Sequence, residues 1–143
     1  MIRIFNNNDI EEVMEIWKKE NIKAHNFIPK EYWENNYEYV KEILPKAEIY
    51  VYIDSDKIKG FIGMNNNHIE GIFIDTDSQN KGIGTALLNK VKEDKAKLTL
   101  NVYDKNKKAI KFYQKNGFEI IKENIDKETN EKEYVMIWKN PAS

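Results

Sequence analysis

The spacing of apolar residues changes character at Pro45, and that switch restricts the chain to folds in which helices cover a sheet. Before it, Ile10, Val13, Met14 and Trp17 recur at i, i+3, i+4 and i+7, one apolar face of a helix. Asn8 with Glu11 three residues later has capping-box spacing and predicts where that helix begins. A short apolar strand, Ile2–Phe5, precedes it. A second helix is predicted from Pro29, a residue tolerated in a first turn, through Trp33, Tyr37 and Val40 to Leu44. After Pro45 the period becomes two. Ile49–Asp54 and Lys57–Met64 flank the turn Asp54-Ser55-Asp56-Lys57, and Asn65-Asn66-Asn67 leads into a strand His68–Ile74. Ile83, Ala86, Leu87 and Val91 then mark a helix, and Leu98, Leu100 and Val102 alternate as a strand. Ala109, Phe112 and Tyr113 share the face of a further helix, stopped by Asn116-Gly117. Two strands, Phe118–Ile125 and Glu133–Trp138, close the chain around the charged turn Lys127–Lys132. The order β-α-α-β-β-β-α-β-α-β-β is α/β in the broad sense. With 143 residues and no repeat or linker, the chain reads as one domain, 1–143.

Charge and composition remove several classes of function. Lys and Arg number 23 against 24 Asp and Glu, so the basic excess of a phosphate-neutralising nucleic-acid binder is absent. Arg3 is the only arginine, which leaves little room for guanidinium recognition of anions. The lack of cysteine excludes disulfides, thiolate metal sites and a cysteine nucleophile. The two histidines, His25 and His68, are too far apart for an HExxH-type site, and no metal is expected. No apolar run approaches the roughly 18 residues of a membrane span. Met1-Ile2-Arg3 opens a strand-like segment where a signal peptide would lie, so a cytoplasmic protein without a membrane partner is expected.

The loop after the fourth strand carries the first chemical signal. It reads Asp75-Thr76-Asp77-Ser78-Gln79-Asn80-Lys81-Gly82-Ile83-Gly84-Thr85. Gly82 and Gly84 lack side chains where the loop turns into a helix, so backbone N–H groups there can approach a ligand closely. Free N–H groups and the helix dipole suit a pyrophosphate. The Walker pattern is absent, and Leu87 breaks GxGxxG. On Gly-x-Gly alone, a glycine-rich entry to a core helix is an equal reading.

Roughly 25 residues on, Asn106, Ala109, Phe112-Tyr113 and Gly117-Phe118 form NxxAxxFYxxxGF. Together with Gln79-x-x-Gly82-x-Gly84 this resembles the two signature motifs of the GNAT superfamily of acyl-CoA N-acyltransferases, whose element order also matches from end to end. His25-Asn26-Phe27-Ile28-Pro29 and Tyr32-Trp33 are similar to a bacterial branch, some of whose members acetylate protein lysines. Thr76 departs from the proline common there. The resemblance implies a mixed, mostly antiparallel sheet of about seven strands with four helices, splayed between strands 4 and 5.

It also implies acetyl-CoA as cofactor, CoA as product, and an amine acceptor as the other partner. The backbone of Ile72, Phe73 and Ile74 would pair with pantetheine as an added strand. Gln79, Asn80 and the amides of Lys81, Gly82, Ile83, Gly84 and Thr85 would hold the pyrophosphate. Asn101, Asn106, Ala109 and Phe112 complete the expected cofactor contacts. An amine must lose its proton to attack, and Glu70 is the candidate base, its plain alternative being an exposed glutamate in an ion pair. A backbone N–H near Phe73 or Ile74 would stabilise the oxyanion. Tyr113 is the candidate acid for the leaving thiolate, or else a core aromatic with its phenol at the rim. His25, Tyr32 and Trp33 would wall the acceptor pocket, and His25 is the alternative candidate for deprotonating the amine. Without cysteine, direct transfer in a ternary complex is expected. A protein or peptide lysine or N-terminal amine is favoured as acceptor. Glu31, Glu34 and Glu38 keep a polyamine, amino acid or aminoglycoside open, and a non-catalytic acyl-CoA sensor is the further alternative. A monomer or homodimer is expected.

Overall fold

Strands that bury both faces need cover on each, and the chain supplies two helices per face. The computed structural model describes residues 1–142. In chain order the elements are β1 (Ile2–Ile4), α1 (Ile10–Ala24), α2 (Lys30–Ile43), β2 (Glu48–Asp54), β3 (Lys57–Asn65), β4 (His68–Ile74), α3 (Ile83–Lys92), β5 (Lys97–Tyr103), α4 (Lys107–Lys115), β6 (Glu119–Asp126) and β7 (Glu131–Lys139). They build one sheet in the order β1-β2-β3-β4-β5-β7-β6, antiparallel except at β4–β5. Along β3 the side chains alternate: Phe61 joins Val13, Met14 and Trp17 of α1 on one face, and Ile62 and Met64 join Leu87, Leu88 and Val91 of α3 on the other. Among the described residues no helix is long and apolar enough to cross a membrane.

Local chemistry moves some boundaries from where the sequence pattern puts them. The capping box lies two residues earlier than Asn8 and Glu11. Asn6 accepts from the Asn8 amide at 3.0 Å, and Asp9 accepts from the Asn6 amide at 2.9 Å, around a 3₁₀ turn (Asn7–Asp9) that runs into α1. Arg3 decides between the two matches. Its guanidinium forks onto the buried Asp9 carboxylate at 2.7 and 2.9 Å, so the only arginine serves the fold. Pro29 sits just before α2, and Pro45 lies in a 3₁₀ turn, Leu44–Lys46, that follows it. Ser55 and Asp56 both take positive φ, the geometry of a tight hairpin turn. Phe118 belongs to the end of α4: its amide bonds the Tyr113 carbonyl while Gly117 turns left-handed. The last turn shortens to residues 127–130, because β7 starts at Glu131.

The centre of the sheet is where it opens. β4 and β5 pair only at His68–Thr99 and Ile69–Leu100. Across β3–β4, Met64 pairs with Ile69 but Gly63 with Gly71, which leaves Glu70 as the extra residue of a bulge. The bulge resets the alternation, so Ile69, Ile72 and Ile74 all pack toward the α3 face. Beyond it the two strands part.

Candidate active site

The parted strands bound a cleft of about 1200 Å³ that receives β4, β5, the N-terminal end of α3, one face of α4, and the ends of α1 and α2. Glu70, Tyr113, Asn101, Asn106, Ala109 and Phe112 all lie on its wall, as do His25, Tyr32 and Trp33. Ile72, Phe73, Ile74, Gln79, Asn80, Gly82, Ile83, Gly84 and Thr85 line it too. Lys81 does not, and its side chain is exposed. Glu31, Glu34 and Glu38 also fall outside the lining, exposed on α2, with Glu34 near Lys18 and Lys30.

Backbone directions along β4 refine what each residue can do. Asp75 donates its amide to Lys59 of β3 at 2.8 Å. Alternation then turns the polar groups of Phe73 toward β3 and those of Ile72 and Ile74 into the gap. The Ile74 carbonyl is already taken by Gln79 Nε2 at 3.0 Å. Ile72 and the Ile74 amide are therefore the groups free to meet an added strand, while the backbone of Phe73 turns to β3. Its ring packs instead on Phe61 at 5.1 Å.

The two loop glycines do different work. Gly82 precedes α3 with φ +82°, and a Cβ built there meets nothing within 4 Å, so its bare backbone faces open space. A Cβ on Gly84 would lie 2.9 Å from Phe112 Cζ, so this glycine lets α3 and α4 close on each other. Gln79 is a junction: Nε2 donates to Glu20 and Ile74, and Oε1 accepts from Lys108 at 3.2 Å. Asn106 caps α4, accepting from the Ala109 amide at 3.3 Å.

Tyr113 is 8% exposed, on the α4 face that closes the cleft, and burial pushes its phenol above the ordinary value. It keeps its proton throughout the neutral range. Glu70 is exposed at the bulge, on the opposite strand of the gap. His25 stacks on Trp33 at 5.2 Å, its Nδ1 lies 3.1 Å from the Asn21 carbonyl, and its Nε2 lies 3.4 Å from Asn106 Nδ2. Burial pulls it down to about 4, with the Asn21 carbonyl opposing weakly. Both nitrogens are engaged and the ring is neutral, which makes His25 a wall of the pocket and a poor base. Trp33 is buried beside it, and Tyr32 donates to Glu128 at 2.8 Å.

The His25 shift has a sign. Between about pH 6.5 and 4 the unfolded chain binds a proton that the folded chain refuses, so stability falls as pH drops through that window. From about pH 7 to 5 the expected loss is about 1–2 kcal/mol. Denaturant unfolding at both pH values checks it: His25→Gln should show the smaller drop.

Among the wall residues that escaped the sequence reading are Glu20 and Asn21 of α1, Tyr103 of β5 and Glu133 of β7. Glu20 and Asn21 stand where the α1 stripe of Val13 and Trp17 would continue, and both are buried. A polar pair interrupting an apolar stripe was the available signal. Glu133 accepts from Asn101 at 3.3 Å, and burial followed by nearby Asp126 raises its carboxyl.

A family model described as an acetyltransferase (GNAT) domain matches residues 13–132. The chain belongs to the GNAT family. Its curated relatives include the peptidyl-lysine N-acetyltransferase YiaC of Escherichia coli, 31% identical over 96% of both chains. YjaB of the same organism, also a peptidyl-lysine N-acetyltransferase, is 32% identical over 77% of this chain and 76% of its own. The solution structure of apo YjaB from Escherichia coli superposes with a TM-score of 0.86 at 27% identity, covering 96% of each chain. Membership makes the protein a GNAT acetyltransferase, and the parted β4–β5 pair with its flanking helices is the expected splay.

Proposed function

We propose that this single-domain GNAT enzyme transfers the acetyl group of acetyl-CoA directly to a primary amine, with a lysine or N-terminal amine of a peptide or protein as acceptor, in the cytoplasm. The observation that carries the reading is the cleft itself: an open backbone at Gly82 and unpaired β4 polar groups at one end, and Tyr113 and Glu70 across the gap. The residues fit the cofactor. Ile72 offers an edge for pantetheine, and the amides from Gly82 to Thr85 offer an anion site at the start of α3. Lys105, Lys107 and Lys108 supply positive charge along the α4 rim. Bound there, acetyl-CoA supplies an activated acyl group.

Glu70 accepts the proton of the incoming ammonium, directly or through a water. The Ile74 amide, fixed by the β4 ladder, donates to the developing oxyanion. Tyr113 holds its proton at Oη and donates to sulfur. Trp33, Tyr32 and His25 give the acceptor an aromatic wall suited to an alkyl chain ending in an amine. Glu31, Glu34 and Glu38 lie outside the cleft and take no part in acceptor binding.

Thermal-shift titration with acetyl-CoA, CoA, ATP and NAD tests the cofactor half, and mass spectrometry of a lysine-peptide panel with acetyl-CoA tests the acceptor half. Stabilisation by acetyl-CoA and CoA alone, with an acetylated lysine or N-terminus, is expected. No shift with either coenzyme sinks the reading. Turnover of small amines only would move the acceptor to that class, and binding without any turnover would favour the sensor.

A further inference from the structure

Glu20 is a buried carboxylate with no forked cation of its own; its nearest, Lys19, stands 3.9 Å away. Its partners are donors of the cofactor loop. Thr76 gives it both an amide, at 3.1 Å, and a hydroxyl, at 2.7 Å, on Oε2, while Gln79 Nε2 reaches Oε1 at 3.1 Å. A carboxylate taken from water needs its lone pairs satisfied, and here a stretch 56 to 59 residues away in sequence satisfies them. The same face of α1 adds Lys19 on Asp75 and Lys23 on the Thr76 hydroxyl. Gln79 extends the bond to the end of β4 and to Lys108 of α4. The departure from proline at Thr76 therefore has a structural use. A proline there has neither the N–H nor the hydroxyl that Glu20 uses.

We infer that Glu20 is a positioning residue for the cofactor: through Thr76 and Gln79 it fixes the loop that aims the amides of Gly82 to Thr85 at the pyrophosphate, and it ties that loop to α1. The inference rests on CoA occupying the cleft as proposed above. Three bonds to one side chain set the loop before the ligand arrives, so their loss falls on the part of CoA that the loop grips. Pantetheine, which lies along β4 and lacks the pyrophosphate, is the internal control.

Titration calorimetry with CoA and NMR titration with pantetheine test this on the wild type, Glu20→Gln and Thr76→Val, the last keeping the backbone amide. Glu20→Gln is expected to weaken CoA about tenfold and Thr76→Val about threefold, with pantetheine affinity unchanged. Amide hydrogen exchange should accelerate over residues 76–85 and stay as it was in β1–β3. Unchanged CoA affinity in both variants overturns the inference. So does an equal loss for CoA and pantetheine, or faster exchange throughout the sheet, either of which marks a general loosening. A wild type that ignores CoA overturns the reading of the cleft as well; a wild type that binds CoA while the variants bind equally overturns this inference alone.

Discussion

Tyr113→Phe is expected to leave CoA affinity within about twofold of wild type and to lower kcat by about a hundredfold. The substitution deletes one oxygen from a ring held by Phe112 at 5.4 Å and Phe118 at 5.6 Å, so packing survives it. What disappears is the donor proposed above for the leaving sulfur. Burial lifts the phenol above its usual range, whereas an ordinary thiol titrates near ~8.5. Full proton transfer to the thiolate therefore runs uphill, and the larger part of the effect is a hydrogen bond to developing charge in a dry setting. Such a bond is worth about 2–3 kcal/mol, which gives the hundredfold. The same ordering predicts that kcat shows no fall due to Tyr113 loss of proton below about pH 10. Steady-state kinetics across pH with one unacetylated lysine peptide as acceptor measures both effects. A Tyr113→Phe enzyme with kcat near wild type would return the residue to the role of a core aromatic.

The second large effect concerns binding. Gly82→Val should raise the Kd for CoA by at least about a hundredfold, by displacing two charge-assisted backbone bonds of about 1.5 kcal/mol each. Open space around the missing Cβ means the new side chain strikes ligand and not protein. The fold bears only the cost of a β-branched residue at positive φ, about 2 kcal/mol. Gly84→Val should reverse the balance, because its Cβ runs into the Phe112 ring and separates α3 from α4. Calorimetric titration paired with denaturant melts separates the two glycines. Equal CoA affinity in wild type and Gly82→Val would remove the pyrophosphate from this loop.

The two glycines also show how far the sequence could be read. Their motif marks a loop that turns into a helix, and the loop is there. Nothing in a Gly-x-Gly pattern says that one glycine faces open space and the other a phenylalanine 28 residues on, because that depends on how α3 meets α4. The element order and the apolar faces were legible because periods of 3.6 and 2 survive in any packing. The start of α1 was not, since two overlapping capping boxes compete and Arg3 on a neighbouring strand selects one. Glu70 could be named as the candidate base on the fourth strand, but its place as a bulge residue depends on the β3–β4 register, which side-chain alternation alone does not reveal. The turn of the Phe73 backbone toward β3 was unreadable for a similar reason: which amides face a gap is a property of the ladder. Glu20 stayed hidden because a glutamate in a helix reads as solvated, and only its position in the α1 stripe says otherwise.

The opening between β4 and β5 has a mechanical side. Most sheets are weakest at their rims, while this one has its frailest seam in the middle, two residue pairs wide. Four strands on one side and three on the other are held by longer ladders, interrupted by single bulges. What keeps the halves in step is side-chain packing beneath the seam, where Ile62, Met64 and Ile69 from one half share a core with Leu98, Leu100 and Met136 from the other, roofed by Leu87 and Leu88. The width of the gap is thus set by the volume of those side chains, and trimming a methyl far from any reacting atom would retune the slot as a shim retunes a vice.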